Sequence, residues 1–347
     1  MTGLSAYRFT YDDPQLYGLG RENRRADSSV LSRALSQNVR VTESLLPAIF
    51  HSVETAERSL GLDCPVQAFI FSEANPSAYC FVPAPGASPL VFLSSSLVRL
   101  LTPAELTFVV GHEIGHQLFG HHEYPAKEPG NLRHLELSRS SEVSADRAGL
   151  LACGSVETLL SATFKVASGL TEEFLGGQLS EFLGQVRQLR DSCGDESIFY
   201  SSHPPLPLRA RAALRFDSLR AGAADPTELL TIDAQIQLDI DSVCFGAEGG
   251  ELGDAAKGAA FWICANDVLE DGALNKTDQQ RLVKSFGQDK VDGLKRFLAN
   301  RSRSEVQHEI TRKIKSALAG ETTMPLAVQR KRQALINSFQ RSSRTTR

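Results

Sequence analysis

The stretch Leu106-Thr107-Phe108-Val109-Val110-Gly111-His112-Glu113-Ile114-Gly115-His116-Gln117-Leu118-Phe119 decides how this chain is read. Leu106, Val109, Val110, Ile114 and Leu118 fall at helical spacing, which predicts a buried helix. Thr102-Pro103-Ala104-Glu105, just ahead of it, is a capping box with proline at the first helical position. Residues four apart share a helix face, so the His112 and His116 imidazoles can grip one metal ion. Glu113 then lies beside that ion, where a carboxylate can take a proton from a water.

A catalytic zinc takes three protein ligands and leaves a position for water. Two residues compete to be the third. His122 has the spacing of the long metzincin motif, but that motif needs glycine three residues after the second histidine. Here position 119 is Phe, with Gly120 one place late, and the only methionines are Met1 and Met324. His121 and His122 also suit a polar helix end, where a partly charged imidazole faces the negative end of the helix dipole.

The other candidate is Glu142, in Ser140-Ser141-Glu142-Val143-Ser144-Ala145-Asp146-Arg147-Ala148-Gly149-Leu150. Ser140 or Ser141 is placed to cap a new helix, on which Glu142 and Asp146 share a face. Glu142 can bind the metal, and Asp146 can accept the outer ring N–H of a ligating histidine. Two acids at this spacing repel unless something positive sits between them, and a metal with two polarised imidazoles would supply that.

HExxH followed by ExxxD resembles the gluzincin arrangement. Glu142 to Leu150 is particularly similar to the M48 family of zinc metallopeptidases. Leu97 to Leu106 resembles that family's approach to the zinc helix, and Asn75-Pro76-Ser77-Ala78-Tyr79-Cys80-Phe81 the segment leading into its active-site edge strand. Ser202-His203-Pro204 with Arg209 resembles its downstream His-Pro…Arg motif. The likeness covers roughly residues 30 to 220. It implies one Zn2+ per chain on His112, His116 and Glu142, with Glu113 as general base and Asp146 behind a ligand. It also implies an edge strand at Ala78, Tyr79, Cys80 and Phe81 that binds extended substrate by strand addition. His203 and Arg209 have two readings: they point at the site and steady the oxyanion, or Arg209 pairs with buried acids while Pro204-Pro205 starts a helix.

The 347 residues allow one large domain or two. A net charge of −4 excludes a general polyanion binder, so no nucleic acid is expected as partner. Cys64, Cys80, Cys153, Cys193, Cys244 and Cys264 form no CxxC pair and fit reduced thiols in a cytosol. The polar first thirty residues hold no signal-peptide core, and no run of about eighteen apolar residues occurs anywhere. The expectation is a cytoplasmic protein with no transmembrane segment, unlike the many M48 relatives that are membrane-embedded.

The predicted fold class is α+β and predominantly helical: a gluzincin-type metallopeptidase domain with a small β-sheet, then an all-helical accessory domain. The boundaries read as an N-terminal extension 1–27, the M48-like domain 28–220, the accessory domain 227–320 and a basic tail 321–347. Residues 28 to 60 read as one helix. Val66–Phe71, Ala78–Val82 and Leu90–Leu93 read as strands, and His121–Leu137 as a loop. Phe261–Phe286 resembles the helix–Asp-Gly–helix unit of TerB-like domains. The basic tail reads as a solvated helix, or as a docking segment for an acidic partner or membrane surface.

The function this implies is zinc-dependent hydrolysis of peptide bonds in a protein or peptide substrate. The alternative is a latent or non-catalytic zinc-binding regulatory or scaffold protein that acts through its C-terminal helical domain. Glu113 separates the two, because a purely structural site needs no base.

Overall fold

A computed structural model describes residues 4–19, 21, 27, 29–83, 86–124, 132–174, 179–191, 198, 201–220, 225–244, 251–269, 274–299, 301–318 and 326–344. The expected breaks at Gly176-Gly177 and Asp271-Gly272 lie outside these residues, as do residues 125–131 of the expected 121–137 loop; the rest of that stretch is a 3₁₀ turn, His121–Glu123, and from Leu132 onward a helix rather than loop. The fold is α+β and predominantly helical, with one small sheet. The chain separates into two compact units, one built chiefly of residues up to Ile240 and one chiefly of residues from Asp241 onwards.

The first unit holds the sheet. Strands β1 (Val39–Arg40), β2 (Gln67–Phe71), β3 (Ala78–Phe81) and β4 (Leu90–Ser94) lie in the order β1-β2-β4-β3. β4 pairs with β2 in parallel and with β3 antiparallel, so among the described residues β3 ends the sheet and keeps a free edge. β4 is covered on both faces, which explains its unbroken apolar run. Leu90, Val91, Phe92 and Leu93 are each buried, and each contributes roughly 1.5–3 kcal/mol. Period-two alternation splits the sheet's side chains. Ala68, Val91, Leu93, Ala78 and Cys80 join the main core, while Phe69, Leu90, Phe92 and Phe81 pack with Ala34 of helix α1 (Ser29–Gln37).

The single helix expected over 28–60 is two helices. α1 ends at Gln37, β1 follows, and α2 runs Pro47–Leu60. The β-branched Val39 and Val41 favour extended backbone, and Val41 N–H donates to Ala68 O at 2.8 Å, continuing the sheet. Pro47 then restarts the helix at its first turn.

α3 (Ser95–Leu100) leads into α4 (Pro103–Leu118), the predicted histidine helix. Its capping box is formed: Thr102 Oγ1 accepts from Glu105 N, and Glu105 Oε2 accepts from Thr102 N at 2.8 Å. Glu105 also meets Lys165 of α6 (Val156–Ser168) at 2.9 Å, in a buried ion pair.

α5 spans Leu132–Cys153, so the helix begins about two turns before the predicted caps Ser140 and Ser141. Both serines lie inside it. The helix is buried on nearly every side, with Arg139, Glu136 and Arg147 among its buried residues. α4 and α5 touch through small residues. A Cβ on Gly115 would stand 2.6 Å from Ala148 Cβ and 3.2 Å from Ala145 Cα. A Cβ on Gly111 would stand 2.4 Å from Ala152 Cβ. Glycine there lets the two backbones approach closely.

α7 (Ser180–Asp191), α8 (Leu206–Arg220) and α9 (Pro226–Cys244) follow. The first unit runs on through α9 to Ile240, past the boundary read at 220–227. It also takes in the N-terminal segment expected as an extension. Phe9 and Tyr17 are each 1% exposed there, and Asp12 is fully buried. Arg147 explains part of this docking: it pairs with Asp233 of α9 and lies over the Phe9 and Phe216 rings.

The second unit is helical: α10 (Glu251–Leu269), α11 (Lys276–Phe286), α12 (Gln288–Leu298), α13 (Arg303–Ala317) and α14 (Leu326–Arg344). Phe261, Cys264, Leu282, Leu294, Ile310, Ile336 and Phe339 form its core. The stretch read as a basic tail is thus a core helix. Its Arg330 pairs with Asp241 at 2.8 Å.

Candidate metal centre

α4 and α5 bring together three side chains of the predicted site. His112 Nε2 and His116 Nε2 are 3.1 Å apart, and Glu142 lies 3.6 Å and 3.4 Å from them. Bond lengths of about 2.0–2.1 Å in a tetrahedral zinc site separate neighbouring ligand atoms by about 3.4 Å. The 3.6 Å contact is to Glu142 Oε2 and the 3.4 Å contact to Oε1, and these separations are of the size of the edges of a zinc tetrahedron. The donor set, two imidazoles and a carboxylate, also suits that ion. These residues would hold the metal. His122 is not among them: it sits in a short 3₁₀ turn, His121–Glu123, 3.9 Å from Glu123 and 41% exposed.

Each imidazole is braced from behind. Asp146 Oδ1 lies 3.0 Å from His112 Nδ1, on the side away from the cluster. Arg209, from α8, grips Asp146 at 2.6 and 2.8 Å and reaches Glu142 Oε2 at 2.9 Å. Arg209 thus pairs with buried acids, the second of the two readings open for it. Burial opposes charge on all three groups, and their mutual attraction outweighs it. Glu142 is held well below the ordinary carboxylate range by Arg209 and the two histidines, and Asp146 is lowered by Arg209 and His112. Arg209 is raised by the two acids. Burial also disfavours a proton on His116, yet Glu142 lifts its pKa above the ordinary imidazole value.

His116 has a different support. Gly120, at φ +72°, reverses the chain after α4 and folds His121 back under the helix. His121 Nδ1 meets His116 Nδ1 at 2.7 Å, and His121 Nε2 meets Asp12 Oδ2 at 2.7 Å. Asp12 also takes Arg8 Nε at 3.2 Å and the Tyr124 hydroxyl. Burial works against the Asp12 charge, but His121 and Arg8 hold its pKa below the usual value. Burial pushes His121 down to about 4, so its ring is neutral at neutral pH.

Glu113 is half-buried on α4 and interacts electrostatically with His116, Arg209 and Cys80. It follows the ligand His112 directly on α4, which packs beside β3. The Cys80 thiol is pushed up by burial and by Glu113, which makes it a poor nucleophile. Tyr79 points the other way, half exposed and stacked on Phe92 at 4.7 Å.

His203 is 62% exposed, with Nε2 3.4 Å from Glu142 Oε1. Arg139 of α5 fixes its segment by donating to Ser201 O at 3.0 Å, and Pro205 then starts α8. His203 lines a cavity of about 220 Å³ with His116, Glu142, Ser141, Tyr124 and His134. Sequence reasoning missed Asp12, Tyr124, His134 and Arg139. Asp12 lies more than a hundred positions from His121 and Tyr124. His134 sits on the part of α5 read as loop, and Arg139 just ahead of the predicted caps.

Residues 51–128 and 124–216 match the model of peptidase family M48. Residues 51–216 match as a domain of that family. The M48 match spans α4, α5, the His203 segment and most of α8, and so includes every residue of the cluster. A relative among curated proteins is the plastoglobule-localized metallopeptidase 48, chloroplastic, of Arabidopsis thaliana. It is 26% identical over 209 residues, covering 52% of this chain and 60% of the relative's length. No solved structure matches significantly. Among the described residues, no helix is long and apolar enough to cross a membrane.

Proposed function

We propose that the first unit is a zinc-dependent metalloendopeptidase, with His112, His116 and Glu142 as ligands and Glu113 as general base. The observation that carries this reading is the close spacing of three donors, two buried and one half-buried, with a half-buried carboxylate beside them. A bound zinc would supply Lewis acidity, acidifying a water and polarising the scissile carbonyl. Glu113 takes the water's proton and returns it to the leaving amine. The free edge of β3 holds the peptide by main-chain hydrogen bonds, extended past Glu113. His203, exposed at the mouth of the cavity, donates to the developing oxyanion. Arg209 keeps Glu142 and Asp146 ionised and in place. The substrate is a protein or peptide.

The test is a peptide-library digest by wild type and Glu113→Gln, with zinc measured in both. The reading predicts one zinc in each and cleavage by wild type alone. Equal cleavage by both would remove Glu113 from the chemistry. Zinc in both without cleavage would favour the non-catalytic alternative.

A further inference from the structure

The two imidazoles of the cluster are braced by different parts of the chain. His112 leans on Asp146, within the ExxxD stretch. His116 leans on His121, and His121 on Asp12, which comes from the N-terminal segment between two short 3₁₀ turns, Leu4–Tyr7 and Pro14–Tyr17. The polarity of that second chain follows from its far end. An ionised carboxylate can only accept, so His121 must carry its proton on Nε2. A His116 that offers its Nε2 lone pair to a metal carries its ring proton on Nδ1, which leaves His121 Nδ1 as the acceptor between them. The 2.7 Å contact then requires His116 to donate from Nδ1, which turns the lone pair of His116 Nε2 toward Glu142 and His112.

We infer that Asp12 and His121 are positioning residues that fix the tautomer and orientation of His116, so that the N-terminal segment completes the metal centre. This rests on the metal reading proposed above. Asp12 is not needed merely to dock the segment. Phe9 N donates to Ser144 Oγ at 3.0 Å, Thr10 N to Asp233 Oδ2 at 2.8 Å, and Tyr17 OH meets Ser140 Oγ at 3.0 Å. Burying a carboxylate is unfavourable by several kcal/mol before compensation, so a docking role alone would be served better by an apolar residue.

The experiment measures Zn2+ affinity by chelator competition for wild type, Asp12→Asn, His121→Phe, His121→Gln and Tyr17→Phe. Ring 15N NMR of zinc-loaded wild type accompanies it. Asp12→Asn and His121→Phe should weaken zinc binding about 10- to 100-fold, the range for lost outer partners of a metal-bound histidine. His121→Gln should lose less, because its amide oxygen still accepts from His116. Tyr17→Phe loosens the segment without touching the chain and should bind zinc as wild type does. In wild type the ring spectra should show His121 protonated at Nε2 and His116 at Nδ1. Unchanged affinity in Asp12→Asn and His121→Phe overturns the inference and leaves the metal reading intact, as do the opposite tautomers. If Asp12→Asn does not fold, equal affinities of His121→Phe and His121→Gln overturn it. A wild type that binds no zinc overturns both readings.

Discussion

Replacing Gly115 with alanine sets two effects of opposite sign against each other. Helix propensity favours alanine over glycine inside a helix by about 1 kcal/mol. Packing opposes it. The new Cβ would stand 2.6 Å from Ala148 Cβ, where carbon atoms rest at about 3.5–4.0 Å. It would also stand 3.2 Å from the backbone Cα of Ala145, which has no rotamer to escape into. α4 and α5 must therefore part by about 1 Å, a strain of the order of 1–3 kcal/mol for overpacking a core. The expected net is a loss of about 0–2 kcal/mol, against the gain expected if there were no clash. The larger effect falls on the site. Glu142 sits one turn from the contact, and metal–ligand distances tolerate only about 0.2 Å. Zinc affinity should drop more than tenfold. Urea unfolding of the metal-free chain and chelator competition measure the two quantities. Gly184→Ala is the control: nothing lies within 4 Å of its Cβ, in the interior of α7, so it should gain about 0.4–1 kcal/mol. If Gly115→Ala stabilises the protein like the control and binds zinc as tightly as wild type, the close-packing argument is wrong.

Glu105 offers a test with a pH signature. Burial disfavours its charge, but Ser161, Lys165 and the Thr102 amide hold its pKa below the ordinary value. Its contribution is therefore complete above the unfolded carboxylate pKa and is lost as pH falls through the lower, folded value. Glu105→Ala should cost about 3–5 kcal/mol near neutral pH, since among the described residues Lys165 keeps only the exposed Glu172 at 3.9 Å. In denaturant titrations across pH, the gap to wild type should shrink in acid, and a gap that is flat with pH would contradict the pairing. Arg209→Lys should weaken zinc binding nearly as much as Arg209→Ala, because a point charge cannot bridge Glu142 and Asp146 together. Full affinity in the lysine variant, measured by chelator competition, would refute that role.

Much of this arrangement could be read along the chain, for physical reasons. α4 announces itself because its start is a local device, Thr102 with Glu105, and its partners recur at helical spacing. β4 reads as a buried strand because both of its faces are covered. Glu142 and Asp146 stand out because two acids four apart need a positive partner. The start of α5 was hidden because the helix is buried nearly all round and carries charged residues inside. Arg139 and Arg147 lie in the core held by backbone and carboxylate oxygens, so no amphipathic stripe appears. The break between α1 and α2 was masked because apolar residues continue across it, although they face the sheet from different elements. Asp12 carries no local signal at all. It sits in a polar stretch, and its meaning depends on His121 and Tyr124, placed beside it only by tertiary packing.

The most direct test of the central claim is zinc K-edge X-ray absorption on the zinc-loaded chain and on Glu142→Ala. The account predicts one zinc per wild-type chain, with two imidazole nitrogens at about 2.0–2.1 Å and oxygen ligands at about 2.0–2.2 Å. Glu142→Ala should lose one carboxylate oxygen and most of its affinity. A sulfur shell at about 2.3 Å, or a spectrum unchanged in Glu142→Ala, would contradict the ligand set.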